Sequence, residues 1–190
     1  MGNGTNRFSA GAAEMQRAAQ TLRQAFPAMK EHNLQTQKLT EQARRANLLP
    51  YDERIDRFRE LLQEYAGYIR RIGEEHDAVI PRFRDEVETG LRKIEEALAK
   101  GRLLSTEEFT QLRDSLQNLQ TVLHEARSNI QYFRGSLMDM PDLGQTDVVA
   151  VRDKVTASLN HAIDVFDELS THVRALGREV FDAEIEKEDE

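Results

Sequence analysis

The chain of 190 residues carries a net charge of −8 and contains no cysteine. A chain of this length can bury a core without disulfides or metal ions, and the lack of cysteine excludes disulfides, thiolate chemistry and cysteine-ligated zinc. The sequence has no run of about 18 apolar residues that could span a membrane and no apolar run typical of a signal peptide. We therefore expect one soluble, cytoplasmic domain.

The charge is unevenly distributed along the chain. Residues 1–50 carry seven basic and three acidic side chains, whereas residues 141–190 carry five basic and thirteen acidic ones. No segment is basic enough to contact a phosphate backbone, so nucleic-acid binding is not expected, and the negative charge disfavours binding to anionic membranes. We divide the chain into a flexible N-terminus (1–7), a single helical-bundle domain (8–185) and an acidic tail (186–190).

The first predicted helix covers residues 8–47. Its apolar residues alternate at spacings of three and four, as in a helix with one buried stripe. A proline inside a helix removes a backbone donor and crowds the preceding turn, so Pro27 is predicted to kink or break this helix. Beyond Pro27 the stripe becomes small and polar. The stripe consists of Phe8, Ala12, Met15, Ala19, Leu22, Phe26 and Met29, then His32, Thr36, Leu39, Ala43 and Ala46.

The second predicted helix covers residues 51–100 and starts after Pro50, a residue suited to the first helical turn. Pro81 lies inside it and is again predicted to kink or break the helix. Versions of the fold with five or six helices therefore stay open. Its stripe is bulky and comprises Ile55, Phe58, Leu62, Tyr65, Ile69, Ile72, His76, Val79, Phe83, Val87, Leu91, Ile94 and Leu98.

The third and fourth predicted helices cover residues 106–140 and 146–185, and both have regular apolar stripes. Ser105 and Glu108 have the spacing of a capping box, which fixes the start of the third helix. Pro141 and Gly144 separate the two helices. Short turns make neighbouring helices antiparallel, so we predict an all-α fold: an elongated four-helix bundle with coiled-coil-like heptad packing. The alternative is a pair of helical hairpins exchanged between two chains.

The sequence offers no motif for catalysis, a metal or a cofactor. None of the five histidines completes the Glu-x-x-His pattern of carboxylate-bridged metal sites in bundles. A nucleophile elbow and a phosphate-binding glycine loop are also missing. A short third turn would place His124 level with His161 and near Asp164, but we interpret these as surface or boundary residues. We therefore expect no enzyme, no metal and no cofactor.

Two turns are unusually apolar and are predicted to lie at the same end of the bundle. We expect them to form an apolar tip for a protein partner or for self-association. The bulky stripe of the second helix faces the small, polar stripe that follows Pro27, so a groove is predicted beside the tip. The predicted tip consists of Leu48, Leu49, Tyr51, Met138, Met140 and Leu143, and the predicted groove of Thr36, Ile55, Phe58, Leu62 and Tyr65.

These features predict a non-enzymatic interaction protein, acting as an adaptor, spacer or assembly subunit that docks through the tip. Two alternatives stay open. One is a sensor that binds a small ligand in a pocket lined by Thr36, Tyr65 and His76. The other is a bundle that opens reversibly on lipid or polymer surfaces.

Overall fold

The computed structural model describes residues 5–25, 29–100 and 104–188; the side chains of residues 5–6, 25, 29–33, 36 and 183–188 lie outside the description. The described ranges form five α-helices and contain no strand. The helices are α1 (Thr5–Ala25), α2 (Met29–Ala46), α3 (Tyr51–Leu98), α4 (Thr106–Met138) and α5 (Thr146–Glu188). The chain is therefore all-helical, as predicted, but it does not consist of four helices.

The difference from the prediction lies in the first helix. The predicted helix 8–47 is two helices, α1 and α2, on either side of residues 26–28. Pro27 falls in this interval, outside the described residues. Pro81 was also predicted to kink or break its helix, but α3 runs without a break through Pro81 for 48 residues, or about 72 Å. The other helix boundaries lie close to the predicted ones.

Four helices enclose the core, and α2 does not take part in this arrangement. Helix α1 packs between α3 and α4, and α5 packs between the same two helices on the other side. Among the described residues, helix α2 packs against α3 and makes no comparable contact with α4 or α5. We call the part of the molecule that contains α1 the closed half, and the part that contains α2 the α2 half.

The closed half is held by buried apolar side chains and by polar contacts between helices. The α1 side chains Phe8, Met15 and Leu22 are at most 1% exposed. At the surface, Arg7 pairs with Glu96 at 2.8 Å and Glu14 with Lys93 at 3.0 Å, so α1 runs antiparallel to α3. The predicted stripes of the last two helices are confirmed, since their apolar residues are buried almost without exception. These residues are Leu112, Leu116, Leu119, Leu123, Ala126, Ile130, Phe133, Leu137, Val148, Val155, Leu159, Ala162, Phe166, Leu169, Val173, Leu176 and Val180.

The capping box at the start of α4 is confirmed. The backbone N–H of Glu108 donates to Ser105 Oγ at 3.2 Å, and the Glu108 carboxylate accepts from the Ser105 backbone N–H at 3.1 Å. Two donors that the helix itself cannot satisfy therefore find partners. This contact fixes where α4 begins, and with it the register of the α4 stripe against the core.

Helices α1 and α3 approach each other closely at two glycines. A Cβ atom on Gly11 would lie 2.5 Å from Ile94 Cγ1 and 3.1 Å from the Gly90 carbonyl oxygen. Only glycine at position 11 leaves room for this approach, because the Ile94 side chain is buried and cannot move aside freely. In contrast, a Cβ on Gly177 of α5 would meet nothing within 4 Å.

Candidate functional site

The two apolar turns lie together at the end of the α2 half. Tyr51 and Ile55, at the start of α3, line the same depression as Leu143 from the α4–α5 turn. The depression has a volume of about 420 Å³ and is open to solvent. The structure thus brings the two segments of the predicted tip to one surface.

Four apolar side chains of these turns are exposed to solvent. The exposed fractions are 87% for Leu48, 71% for Tyr51, 67% for Met138 and 45% for Leu143. In the described part of the chain seven large apolar residues are exposed, so more than half of them lie in these two turns. We call Leu48, Tyr51, Met138 and Leu143 the tip. Exposed apolar residues are common singly, but a group of this kind marks interaction surfaces.

The structure removes one residue from the predicted tip and reduces the part of another. Met140 is only 7% exposed and belongs to the continuous core, because the chain turns inward after α4. Leu49 is half-buried, and its carbonyl oxygen accepts a hydrogen bond from Arg54 at 3.1 Å. The sequence could not distinguish these residues from Leu48 and Met138, because the spacing of apolar residues in a turn does not show which side chains point inward.

The α2–α3 turn holds Leu48 outward through backbone hydrogen bonds. The N–H groups of Leu48 and Leu49 donate to the carbonyl oxygens of Arg45 and Ala46, both at 3.1 Å. These bonds wind the end of α2 into a tight turn before Pro50, which begins α3 with its fixed backbone angle. Leu48 is therefore part of an ordered turn, and its exposure follows from that geometry.

The α4–α5 turn places Leu143 in an unfavourable backbone conformation. Its φ is 49°, and it is the one non-glycine residue with positive φ in the described part of the chain. This left-handed conformation costs most residues with a side chain roughly 1–2 kcal/mol, and glycine or asparagine adopts it more readily. The turn is otherwise well satisfied, since Asp142 Oδ1 accepts from the Gly144 N–H at 2.9 Å and its carbonyl oxygen from the Gln145 N–H at 2.9 Å.

Charged side chains of both signs lie in or next to the two apolar turns. Asp56 is paired with Arg59 at 3.4 Å, and both line the depression. Among the residues that the structure describes, Asp52, Glu53 and Asp139 take part in no ion pair, and neither do Arg44 and Arg54. Sequence reasoning did not single out these residues, although each is next to or near an apolar turn residue. The surface therefore combines apolar side chains with charges of both signs.

The predicted groove does not stay together as one surface. Leu62 is 9% exposed and belongs to the continuous core, and Tyr65 packs against that core and stacks on Tyr68 with ring centroids 6.1 Å apart. Ile55 lines the tip depression, and Phe58 is half-buried. The Thr36 side chain lies outside the described residues. Of the predicted groove, Ile55 is the residue that lines the depression beside Tyr51 and Leu143.

His76 lies inside the protein, as its place in the stripe predicts. It is 7% exposed, and burial lowers its pKa from 6.5 to about 4, although the nearby charge of Asp77 acts in the opposite direction. The imidazole is therefore neutral at physiological pH. We therefore interpret His76 as a core residue that packs against its neighbours.

The expectation that His124 lies level with His161 is wrong. Arg134 of α4 faces Asn160 of α5 at 2.9 Å, so His161 lies about ten residues, or roughly 15 Å, along α4 from His124. His124 instead lines a depression of about 190 Å³ in which Arg127 pairs with Asp167 through two hydrogen bonds, at 2.6 and 3.0 Å. In the described residues, no three histidine or acidic side chains converge as a metal site would require.

Comparison with known proteins found no matching family model, no similar curated protein and no similar solved structure. Among the helices that the structure describes, none combines the length and apolar character needed to cross a membrane. The fold and surface together define an all-helical protein with one exposed apolar tip.

Proposed function

We propose that this protein is a non-enzymatic interaction module, an adaptor or assembly subunit, that docks on a partner protein through the tip. The main support for this proposal is the exposure and backbone conformation of Leu143. It is exposed and also adopts positive φ, so neither burial nor backbone preference accounts for a leucine at this position. A leucine at a position where the turn imposes positive φ points to a role other than folding.

The other tip residues support the same interpretation. Leu48 and Tyr51 project from an ordered turn, and Met138 ends α4 with its side chain in solvent. Exposed apolar side chains away from the tip have a different setting: Phe181, at the opposite end, rests edge-on against Phe109 with centroids 5.6 Å apart. Tyrosine and methionine suit a docking surface because they offer a large, adaptable apolar area.

Capture of the tagged protein from a lysate of its own source tests the proposal. The double variant Leu48→Glu, Met138→Glu should lose a near-stoichiometric partner, because each change puts a charge into the docked surface. The matched control is Leu34→Glu, Tyr132→Glu, which changes two other exposed apolar residues, 49% and 56% exposed, outside the two turns. Equal recovery of every partner by the tip variant and the control would refute docking through the tip.

A second variant separates function from stability at Leu143. Asparagine adopts positive φ more easily than leucine, so Leu143→Asn should raise the free energy of unfolding by about 1 kcal/mol. The same change removes an apolar side chain from the depression and should weaken partner binding. A variant that is more stable and binds less well is the expected result; unchanged binding would remove Leu143 from the docking surface.

A further inference from the structure

We propose that a depression between α4 and α5 binds the phosphate group of a small phosphorylated molecule, at a site separate from the tip. We call it the α4–α5 depression. The polar side chains that line it are His124 and Arg127 of α4 and Asp167, Ser170 and Arg174 of α5. Its hydrogen-bond donors, its charge and its size all suit a phosphate group.

Two arginines line the depression, and each is held against α5 by two hydrogen bonds. Arg127 donates through Nε and Nη2 to the two carboxylate oxygens of Asp167, at 2.6 and 3.0 Å. Arg174 donates through Nε to the Ser170 carbonyl oxygen at 3.3 Å and through Nη2 to Ser170 Oγ at 3.2 Å. Among the described residues, the Nη1 atom of neither arginine has an acceptor. Both arginines therefore keep donors for a ligand while other bonds hold their side chains in place.

Ser170 and His124 add donors to the same depression. Because Ser170 Oγ accepts from Arg174, its hydroxyl group can still donate to a bound oxygen. One ring nitrogen of the exposed His124 carries a hydrogen in either neutral tautomer. Phosphate offers several acceptor oxygens, and the planar guanidinium group suits their geometry. The volume of about 190 Å³ is several times the roughly 30 Å³ of one water molecule, so a phosphate group fits.

The charge of the depression favours an anion. Its lining has two arginines and one carboxylate, so it carries one net positive charge when His124 is neutral. In contrast, the lining of the tip depression has two aspartates and one arginine, and a depression between α3 and α5 has two basic and two acidic side chains. In the described part of the chain Arg174 takes part in no ion pair. The α4–α5 depression therefore differs in sign from a protein with a net charge of −8.

Charged residues just outside the depression do not reverse this sign. On α5 the next charged residues along this face are Asp164 and Arg178, about one turn beyond either end, and their charges offset each other. Glu168 is paired with Arg84 at 3.0 Å. Glu125 of α4 is next to a lining residue, but one residue turns a helix by about 100°, and Glu125 does not line the depression. The depression therefore keeps its net positive charge.

The surroundings favour a small molecule over a phosphorylated protein. None of the large apolar residues that are exposed in the described part of the chain lines this depression. A protein partner usually needs such residues around the phosphate group to form the centre of an interface. A small molecule needs only the depression itself.

Titration of the full chain with inorganic phosphate, followed by two-dimensional NMR, tests the proposal. Chloride keeps the ionic strength constant. We expect saturable shifts of the backbone amides in residues 123–127 and 166–174. Arg174→Gln should weaken phosphate binding about fivefold, as expected for the loss of one exposed charge pair. Shifts that do not saturate, or that chloride alone reproduces, would overturn the proposal.

The matched control is Arg178→Gln, which removes the same charge one turn further along α5, outside the depression. It should weaken phosphate binding less than about twofold if the attraction is local. Equal losses in Arg174→Gln and Arg178→Gln would show a nonspecific attraction and overturn the site. Both side chains are exposed, so circular dichroism should show intact helices in both variants.

A second variant tests Arg127 without a change in net charge. Arg127→Gln, Asp167→Asn removes the arginine together with its carboxylate partner, so the net charge of the depression stays the same. Binding should still weaken by at least about twofold, because one donor to the phosphate is lost. Unchanged binding would show that charge alone attracts the anion, and the two-arginine site would be wrong.

Two further ligands identify the source of the phosphate group. Glycerol phosphate should bind at least as tightly as inorganic phosphate, and a phosphoserine peptide should bind no more tightly than glycerol phosphate. Clearly tighter binding of the peptide would assign the site to a phosphorylated protein and overturn the small-molecule ligand.

The site can be tested independently of the tip. Arg127 lies about eleven residues before Met138 on α4, or roughly 16 Å along the helix. The tip variant Leu48→Glu, Met138→Glu should therefore bind phosphate as the unchanged protein does. Loss of phosphate binding in that variant would contradict a separate site, whereas loss of a captured partner alone would bear only on the proposed function.

Discussion

The closed half and the α2 half use the same helices α3, α4 and α5 but differ in what packs beside them. In the closed half α1 inserts Phe8, Met15 and Leu22 into the continuous core. In the α2 half the described side chains of α2 contribute nothing to that core; Ala46 is buried outside it, and Leu34 is 49% exposed. The three-and-four spacing of apolar residues therefore suffices for a helix to form. Large apolar side chains are needed to pack that helix into the core.

The largest change in the free energy of unfolding is expected when a core residue of the closed half is replaced, and a residue of α2 serves as the comparison. Phe83 is fully buried and meets Phe166 edge-on, with ring centroids 5.8 Å apart. Phe83→Ala should lower the free energy of unfolding by about 3–5 kcal/mol because it removes this contact and leaves a cavity. Leu39→Ala, on the half-buried face of α2, should cost less than about 1 kcal/mol. Denaturant unfolding measures both, and similar costs would show that α2 is as well packed as the closed half.

The next effect is a pH dependence that comes from His76. Burial lowers the pKa of His76 to about 4, so between pH 6.5 and 4 the unfolded chain binds a proton that the folded protein does not. Stability should therefore fall as the pH drops through this range, by up to about 3 kcal/mol. His76→Gln should flatten this part of the profile, whereas replacement of the exposed His124 by glutamine should not. A steep slope that persists in His76→Gln would assign it to other groups.

The contact between α1 and α3 predicts a smaller change. Gly11→Ala would place its Cβ 2.5 Å from Ile94 Cγ1, so α1 must move and stability should fall by about 1–3 kcal/mol. Gly177→Ala on α5 is the matched control: its Cβ meets nothing within 4 Å, and it should stabilise the helix by up to about 1 kcal/mol. Thermal unfolding would show the two changes with opposite signs. If both variants were more stable, helices α1 and α3 would be able to move apart without loss of stability.

The smallest free energy is expected for the local unfolding of α2. Because α2 packs mainly against α3, its backbone amides should exchange with solvent at least about tenfold faster than those of α1 residues 8–22. Hydrogen exchange followed by mass spectrometry compares the two helices in the same sample. Equal protection of α2 residues 37–46 and of α1 would contradict the distinction between the halves.

Local signals in the sequence predicted most of the secondary structure. The capping box at Ser105 fixed the start of α4, and the alternating spacings gave the buried faces of α4 and α5. The same rules left open whether Pro81 kinks or breaks its helix. Helix α3 runs through Pro81 unbroken, because the packing of Phe83 and its neighbours in the core outweighs the local cost of the proline. Tertiary packing decides such cases, and a local rule does not include it.

For the candidate site, too, the sequence predicted some features and only the structure showed others. The apolar character of both turns is visible in the sequence, and so is their meeting at one end, since short connections force antiparallel neighbours. The conformation of Leu143 and the inward turn at Met140 could not be predicted, because a few backbone angles set them.

The sequence by itself determined that this protein is helical, where most of its helices begin and which faces they bury, because those properties depend on neighbours three and four residues away. Only the tertiary structure decided that α2 stays outside the core and that Leu48, Tyr51, Met138 and Leu143 stay in solvent at one end. These outcomes depend on how side chains from distant segments share the same volume, and the spacing of residues along one helix does not contain that information.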